Sequence, residues 1–244
     1  MQRSLFLALL VMFLFLPSSG LVAGAPRSQP RVLILSSVEK QYPMQYLNQE
    51  TAELQQAGYN VTFLTGNATT VGAIVAQLDR YSIVIWRTET YNLGNTTYWY
   101  LAQPANQTVL SSYGKPAGTI MAANGMVAVS ADFFISMFGP KSLSNVKLAI
   151  LVASVTFPIA QDFIAAGVET TIDFYPNNYY PSLTVSSSLF DWVIQSLVGY
   201  LTTGSMVKDA VYKTIYNYEY ASSLDDSYLP PISYLGNGFL QITQ

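Results

Sequence analysis

The chain has 244 residues, 50% of them hydrophobic and only 10% charged, with 11 basic and 14 acidic side chains for a formal net charge of −3. It contains no Cys and no His, which excludes disulfides, the common zinc sites and any Cys–His or Ser–His catalytic dyad. No basic run is present, so nucleic acid is not an expected partner.

The first 25 residues read as an export signal. Arg3 precedes an apolar stretch from Leu5 to Leu16, followed by Pro17, Gly20 and the small residues Ala23-Gly24-Ala25. That is the charged, apolar, small-residue layout of a signal peptide, with Ala23-x-Ala25 as an acceptable cleavage site. Residues 4–25 carry no charge, so a retained segment would be long enough for membrane attachment. Either outcome places the protein outside the cell or on its surface, with residues 26–244 as one domain with a full core. The scarcity of charge also suits strongly acidic surroundings, where carboxylates with ordinary pKa values of about 4 are mostly neutral.

Arg31–Ser37 (RVLILSS) reads as a buried strand. Residues 45–57 read as a helix with Leu47, Thr51 and Leu54 on one face and Gly58 as its stop. Asn60–Leu64 is a second strand. Residues 70–79 form an amphipathic helix with Val71, Ile74, Val75 and Leu78 at i, i+3, i+4 and i+7. Tyr81–Trp86 is the third strand, and it stops at Arg87-Thr88-Glu89-Thr90. This β-α-β-α-β order predicts a mostly parallel sheet with helices on both faces, a three-layer α/β/α domain.

Residues 92–116 read as an aromatic-rich excursion from the strand end, with a helical turn around 97–102. It either lids the sheet ends or lines a groove for peptide or sugar. GTIMAANGMVAVS (118–130) predicts a hairpin turned at Asn124-Gly125. A short helix over Ala131–Met137, a core strand over Lys147–Val152, a helix over Pro158–Ala166 and a strand over Glu169–Phe174 follow. Two helices come next. One carries Leu189, Val193, Leu197 and Leu201; the other is capped by Ser205 and carries Val207, Ala210, Val211 and Thr214. ISYLGNGFLQI is a final strand or hairpin. Four sequons, at Asn60, Asn67, Asn95 and Asn106, are N-glycosylation acceptors if they lie on the surface of an exported chain.

IVIWRTETY (83–91), LAILVASVTF (148–157), DFIAAGVETTIDF (162–174) and GSMVKDA (204–210) occur in the order of pieces found in the caspase-like group, which includes caspases, legumains, gingipains and clostripain. The chain resembles that group over nearly all of its mature length. The resemblance implies a caspase-like fold in which the third strand leads to a catalytic His and the fourth to a catalytic Cys. Here those two positions hold Glu89 and Ser154. A carboxylate is not a base of matching pKa, and a serine hydroxyl is a far poorer nucleophile than a thiolate. The resemblance therefore implies a pseudopeptidase with no cofactor and no metal. It would serve as a binding or structural module for a protein or peptide partner.

Other readings stay open. Ser154 and Glu89, with Asp132, Asp162 or Asp173 as third member, would make an acid-active serine hydrolase. A Rossmann-like or amidotransferase-like ligand-binding domain would share the first three strands, but the sequence has no glycine-rich phosphate loop. Arg87 and Thr88 are candidates for the rim of a site. Arg87 is expected to pair with Glu89 or a nearby Asp, and Glu89 with Arg87 or Lys115.

Overall fold

The computed structural model describes residues 29–37, 44–114, 118–153, 156–174, 187–222 and 232–242. Its elements in chain order are β1 (Arg31–Ser36), α1 (Met44–Gln56), β2 (Asn60–Thr65), α2 (Val71–Gln77), β3 (Ile83–Arg87), β4 (Thr90–Leu93), β5 (Thr96–Pro104), α3 (Gln107–Tyr113), β6 (Ile120–Ala123) and β7 (Met126–Ser130). They continue with α4 (Asp132–Phe138), β8 (Leu148–Val152), α5 (Phe157–Ala165), β9 (Thr170–Phe174), α6 (Ser187–Thr202), α7 (Val207–Ser222) and β10 (Ile232–Gly236).

Six strands form the main sheet in the order β10-β9-β8-β3-β1-β2. All neighbours are parallel except β10, which runs antiparallel to β9. The central strands are apolar throughout because both faces of the sheet are covered. Val32, Ile34, Ile83, Ile85, Leu148 and Ile150 face one layer, built by α1, α6 and α7. Leu33, Leu35, Val84, Trp86, Ala149 and Leu151 face the other, built by α2, α4 and α5. The architecture is the expected three-layer α/β/α domain.

The expected ends hold for physical reasons. Thr70 caps α2 by accepting a hydrogen bond from the Ala73 amide at 3.1 Å. Gly167 ends the helical run after α5 at φ +110°, and a Cβ there would lie 2.5 Å from the Lys141 Cα, so only glycine fits. Asn124 and Gly125 both take positive φ in the tight turn between β6 and β7. The start of α7 differs from expectation: the helix begins at Val207, which puts Met206 and not Ser205 at the capping position, and the Ser205 hydroxyl instead accepts from Lys213 Nζ at 3.1 Å.

The excursion after β3 differs from expectation. No helical turn forms at 97–102; β5 runs through it as the second strand of an antiparallel sheet ordered β4-β5-β7-β6. Thr96, Thr97, Tyr98, Trp99 and Tyr100 are β-branched or aromatic, and such side chains suit a pleated surface better than a helix. Trp99 and Leu101 join the core beneath the main sheet, while Tyr98 packs on the opposite face with Tyr91 and Tyr100. Trp86 of the main sheet meets Trp99 edge-on at 5.1 Å between ring centroids and also contacts Phe134 and Phe163. Such aromatic geometry adds to the burial itself. Trp86→Ala is expected to destabilise the protein by about 3–5 kcal/mol, seen as a lower urea midpoint with unchanged slope.

Candidate functional site

Alternation along β3 decides where its last side chain goes. Ile83 and Ile85 face the α1/α6 layer, so Arg87 faces it too, at the C-terminal end of the strand. In register with it stand Ser36 at the end of β1 and Val152 at the end of β8. Arg87 is completely buried and forms a salt bridge with Asp191, which α6 presents one turn ahead of Ile194. Helix α1 packs on α6 and brings Glu50 into the same layer, between Leu47 and Leu54. Glu50 is also fully buried, and neither of its carboxyl oxygens has a hydrogen-bond partner. The Ser36 hydroxyl and one carboxyl oxygen each of Glu53 and Asp191 are buried and without a hydrogen-bond partner as well.

Among the described residues, one cation, Arg87, and three acids, Glu50, Glu53 and Asp191, therefore share the buried layer under the strand ends. Burial pushes the Glu50 carboxyl up to about 7, the Arg87 charge acts in the opposite direction, and neighbouring Glu53 raises it further. With Arg87 matched to Asp191, a neutral Glu50 leaves that pair balanced. Two other acids are displaced the same way. Burial raises Asp162 to about 6, although it accepts a hydrogen bond from the Ile135 amide at 2.9 Å. Burial likewise raises Asp173 to about 6 against a 3.0 Å hydrogen bond from Ser233.

Arg87 and Thr88 lie beneath the rim, both buried. The Thr88 amide donates to Val152 O at 3.0 Å, and its hydroxyl donates to Tyr100 O at 2.5 Å. The main chain passes at this residue from the first sheet to the second: the next carbonyl, of Glu89, accepts from the Tyr100 amide at 3.0 Å. Glu89 is half-buried at that junction. The carboxylate against Arg87 is Asp191, not Glu89. Ser154 and Lys115 lie outside the described residues, as do the segment 1–25 and most of FYPNNYYP. Asp173 stands on β9, separated from β3 by β8, and its carboxylate faces Ser233 on β10. Asp162 is bound to the backbone of α4, and Asp132 is exposed. Asn60, Asn67, Asn95 and Asn106 are all exposed. Among the described residues no cluster of acids could hold a metal ion, and no helix is long and apolar enough to cross a membrane.

Sequence reasoning missed Glu50 and Asp191. A signal existed for each. Glu50 interrupts the stripe Leu47, Leu54 at i+3, and Asp191 leads the stripe Ile194, Val198 at i+3 and i+7. An acid on the apolar face of a helix needs either a buried partner, as Asp191 has in Arg87, or a raised pKa that keeps it neutral, as at Glu50.

Arg87→Met is expected to cost about 3–5 kcal/mol, because it leaves Asp191 charged and buried. Adding Asp191→Leu should recover most of that loss in a chemical-denaturation series. The three raised carboxyls bind more protons in the folded state than in the unfolded state between about pH 4 and pH 7. Their contribution is complete below the unfolded values of 3.8–4.5 and is lost as pH rises through 6 and 7. Glu50→Gln should match the parent at pH 4 and exceed it at pH 8, by up to roughly 3 kcal/mol. Identical pH profiles for the two proteins would refute a buried, proton-holding Glu50. No protein-family model matches the chain, and no curated protein is significantly similar to it.

Proposed function

We propose that the chain is an exported, non-catalytic relative of the caspase-like peptidases that binds a protein or peptide partner outside the cell. The observation that carries this reading is the pairing of β3 with β8, with Arg87 opposite Val152. Positions 89 and 154 each follow two residues beyond that pair. The strands that lead to positions 89 and 154 are thus neighbours in the main sheet, which supports the resemblance, whose two catalytic positions follow adjacent strands. The residues standing there bring a carboxylate and a hydroxyl in a chain without any imidazole or thiol. Loss of one such member in a serine protease costs on the order of 10⁶ in rate.

The arrangement of the strand ends supports a structural use for what remains. The Arg87 charge is matched within the fold by Asp191, and Thr88 ties the two sheets together. The raised acids also favour a protein that works in acidic surroundings, since each is most stabilising when protonated.

Peptide hydrolysis measured from pH 2 to pH 7, with Ser154→Ala as control, tests the proposal. No Ser154-dependent turnover is expected at any pH. Turnover that disappears in Ser154→Ala would overturn the non-catalytic reading and assign the site to a serine hydrolase using Glu89.

A further inference from the structure

Two outer strands of the sheets carry none of the usual edge-blocking residues. Among the described residues, β2 pairs only with β1, and β4 pairs only with β5. An outer strand is a template for pairing with another chain, and proteins usually blunt it with lysines, prolines or a covering element. Neither NVTFLT of β2 nor TYNL of β4 contains a charge or a proline. Each also exposes a large apolar side chain: Phe63 on β2 at 36% and Leu93 on β4 at 51%. The β10 edge differs: the turn after it sets Gly238 against the Tyr234 ring.

The sequons coincide with the two bare edges. Asn60 is the first residue of β2, and Asn67 lies two residues past its end. Asn95 sits in the turn that joins β4 to β5, two residues from Leu93. We propose that N-linked oligosaccharides on Asn60, Asn67 and Asn95 cap the open edges β2 and β4. In acidic surroundings a carboxylate would be neutral and useless as an edge charge, whereas a sugar stays bulky and hydrated at any pH. This inference rests on the export part of the proposed function.

The transfer consumes a lipid-linked, phosphate-activated oligosaccharide. The asparagine amide nitrogen bonds to the anomeric carbon, the bond from that carbon to the phosphate oxygen breaks, and one amide proton is released as the lipid phosphate departs. The structure also sets its timing. Thr69, the third residue of the Asn67 sequon, is buried, with its hydroxyl 3.0 Å from Leu64 O and 3.2 Å from Ser36 O. The Asn60 main chain is held in a paired strand, with its backbone N–H donating to Pro30 O at 3.0 Å. Both must be modified before the domain closes, on the chain as it crosses the membrane.

Two measurements test this. The protein isolated from its source is fractionated and its glycopeptides are mapped by mass spectrometry. Saccharide mass on Asn95 and on Asn60 or Asn67 is expected. An exported protein with all three bare would overturn the inference while leaving export standing; a protein retained inside the cell and bare would overturn both. The second measurement compares the glycosylated protein with an Asn60→Gln/Asn67→Gln/Asn95→Gln variant by sedimentation. The variant is expected to self-associate, and Phe63→Lys with Leu93→Lys added to it should restore the monomer. A triple variant as monomeric as the parent would overturn the capping role.

Discussion

A guanidinium carried to the end of a central strand, beneath two helices, has to be neutralised where it stands. The Arg87–Asp191 pair does this, and the layer of α1 and α6 over the main sheet depends on it. The pair couples elements more than a hundred residues apart in the chain, because the acid comes from α6 and the base from β3. Buried pairs of this kind are weak sources of net stability but strict constraints on arrangement: either partner alone is far worse than neither. Glu50 follows from the same constraint. Where Arg87, the one cation of that layer among the described residues, already faces a carboxylate, a further acid is tolerated chiefly as the neutral form.

Much of the fold was legible in the sequence because its strands are buried on both faces. RVLILS, IVIWR, LAILV and TTIDF read as core strands without any knowledge of their neighbours, and the helices between them show their apolar stripes. Of the second sheet, the β6–β7 hairpin was legible from its Asn124-Gly125 turn, whereas β4 and β5 were not. Tyr and Trp in TTYWYLAQP suit a strand, a lid or a groove equally, and only the docking of Trp99 onto Trp86 decides among them. The candidate site was half visible. Arg87 and Thr88 were marked by the abrupt end of an apolar run, but their partners were not, since Asp191, Val152 and Tyr100 come from distant segments. Of the two expected partners for Arg87, Glu89 or an Asp, the structure takes an Asp, and it comes from a helix 104 residues away that no local pattern could point to, while the main chain at Glu89 has already passed into the second sheet.

The scarcity of charge and the raised carboxyls belong together. A chain with 10% charged residues has few groups to lose to protonation, and three of its 14 acids are held where the proton is welcome. Acid commonly unfolds proteins by protonating carboxylates that the native state needs ionised. For Glu50, Asp162 and Asp173 that force points the other way, so the conditions that strain most folds tighten this one at those places.

Two of the three tryptophans, Trp86 and Trp99, face each other across the junction between the two sheets. Both are fully buried, and Trp86 is further enclosed by Phe134 and Phe163. The intrinsic fluorescence of the protein is therefore in large part a gauge of that one joint. A partner that pried the small sheet from the large one would change the emission while leaving the helical signal intact, so the molecule carries its own optical reporter of movement between its two sheets.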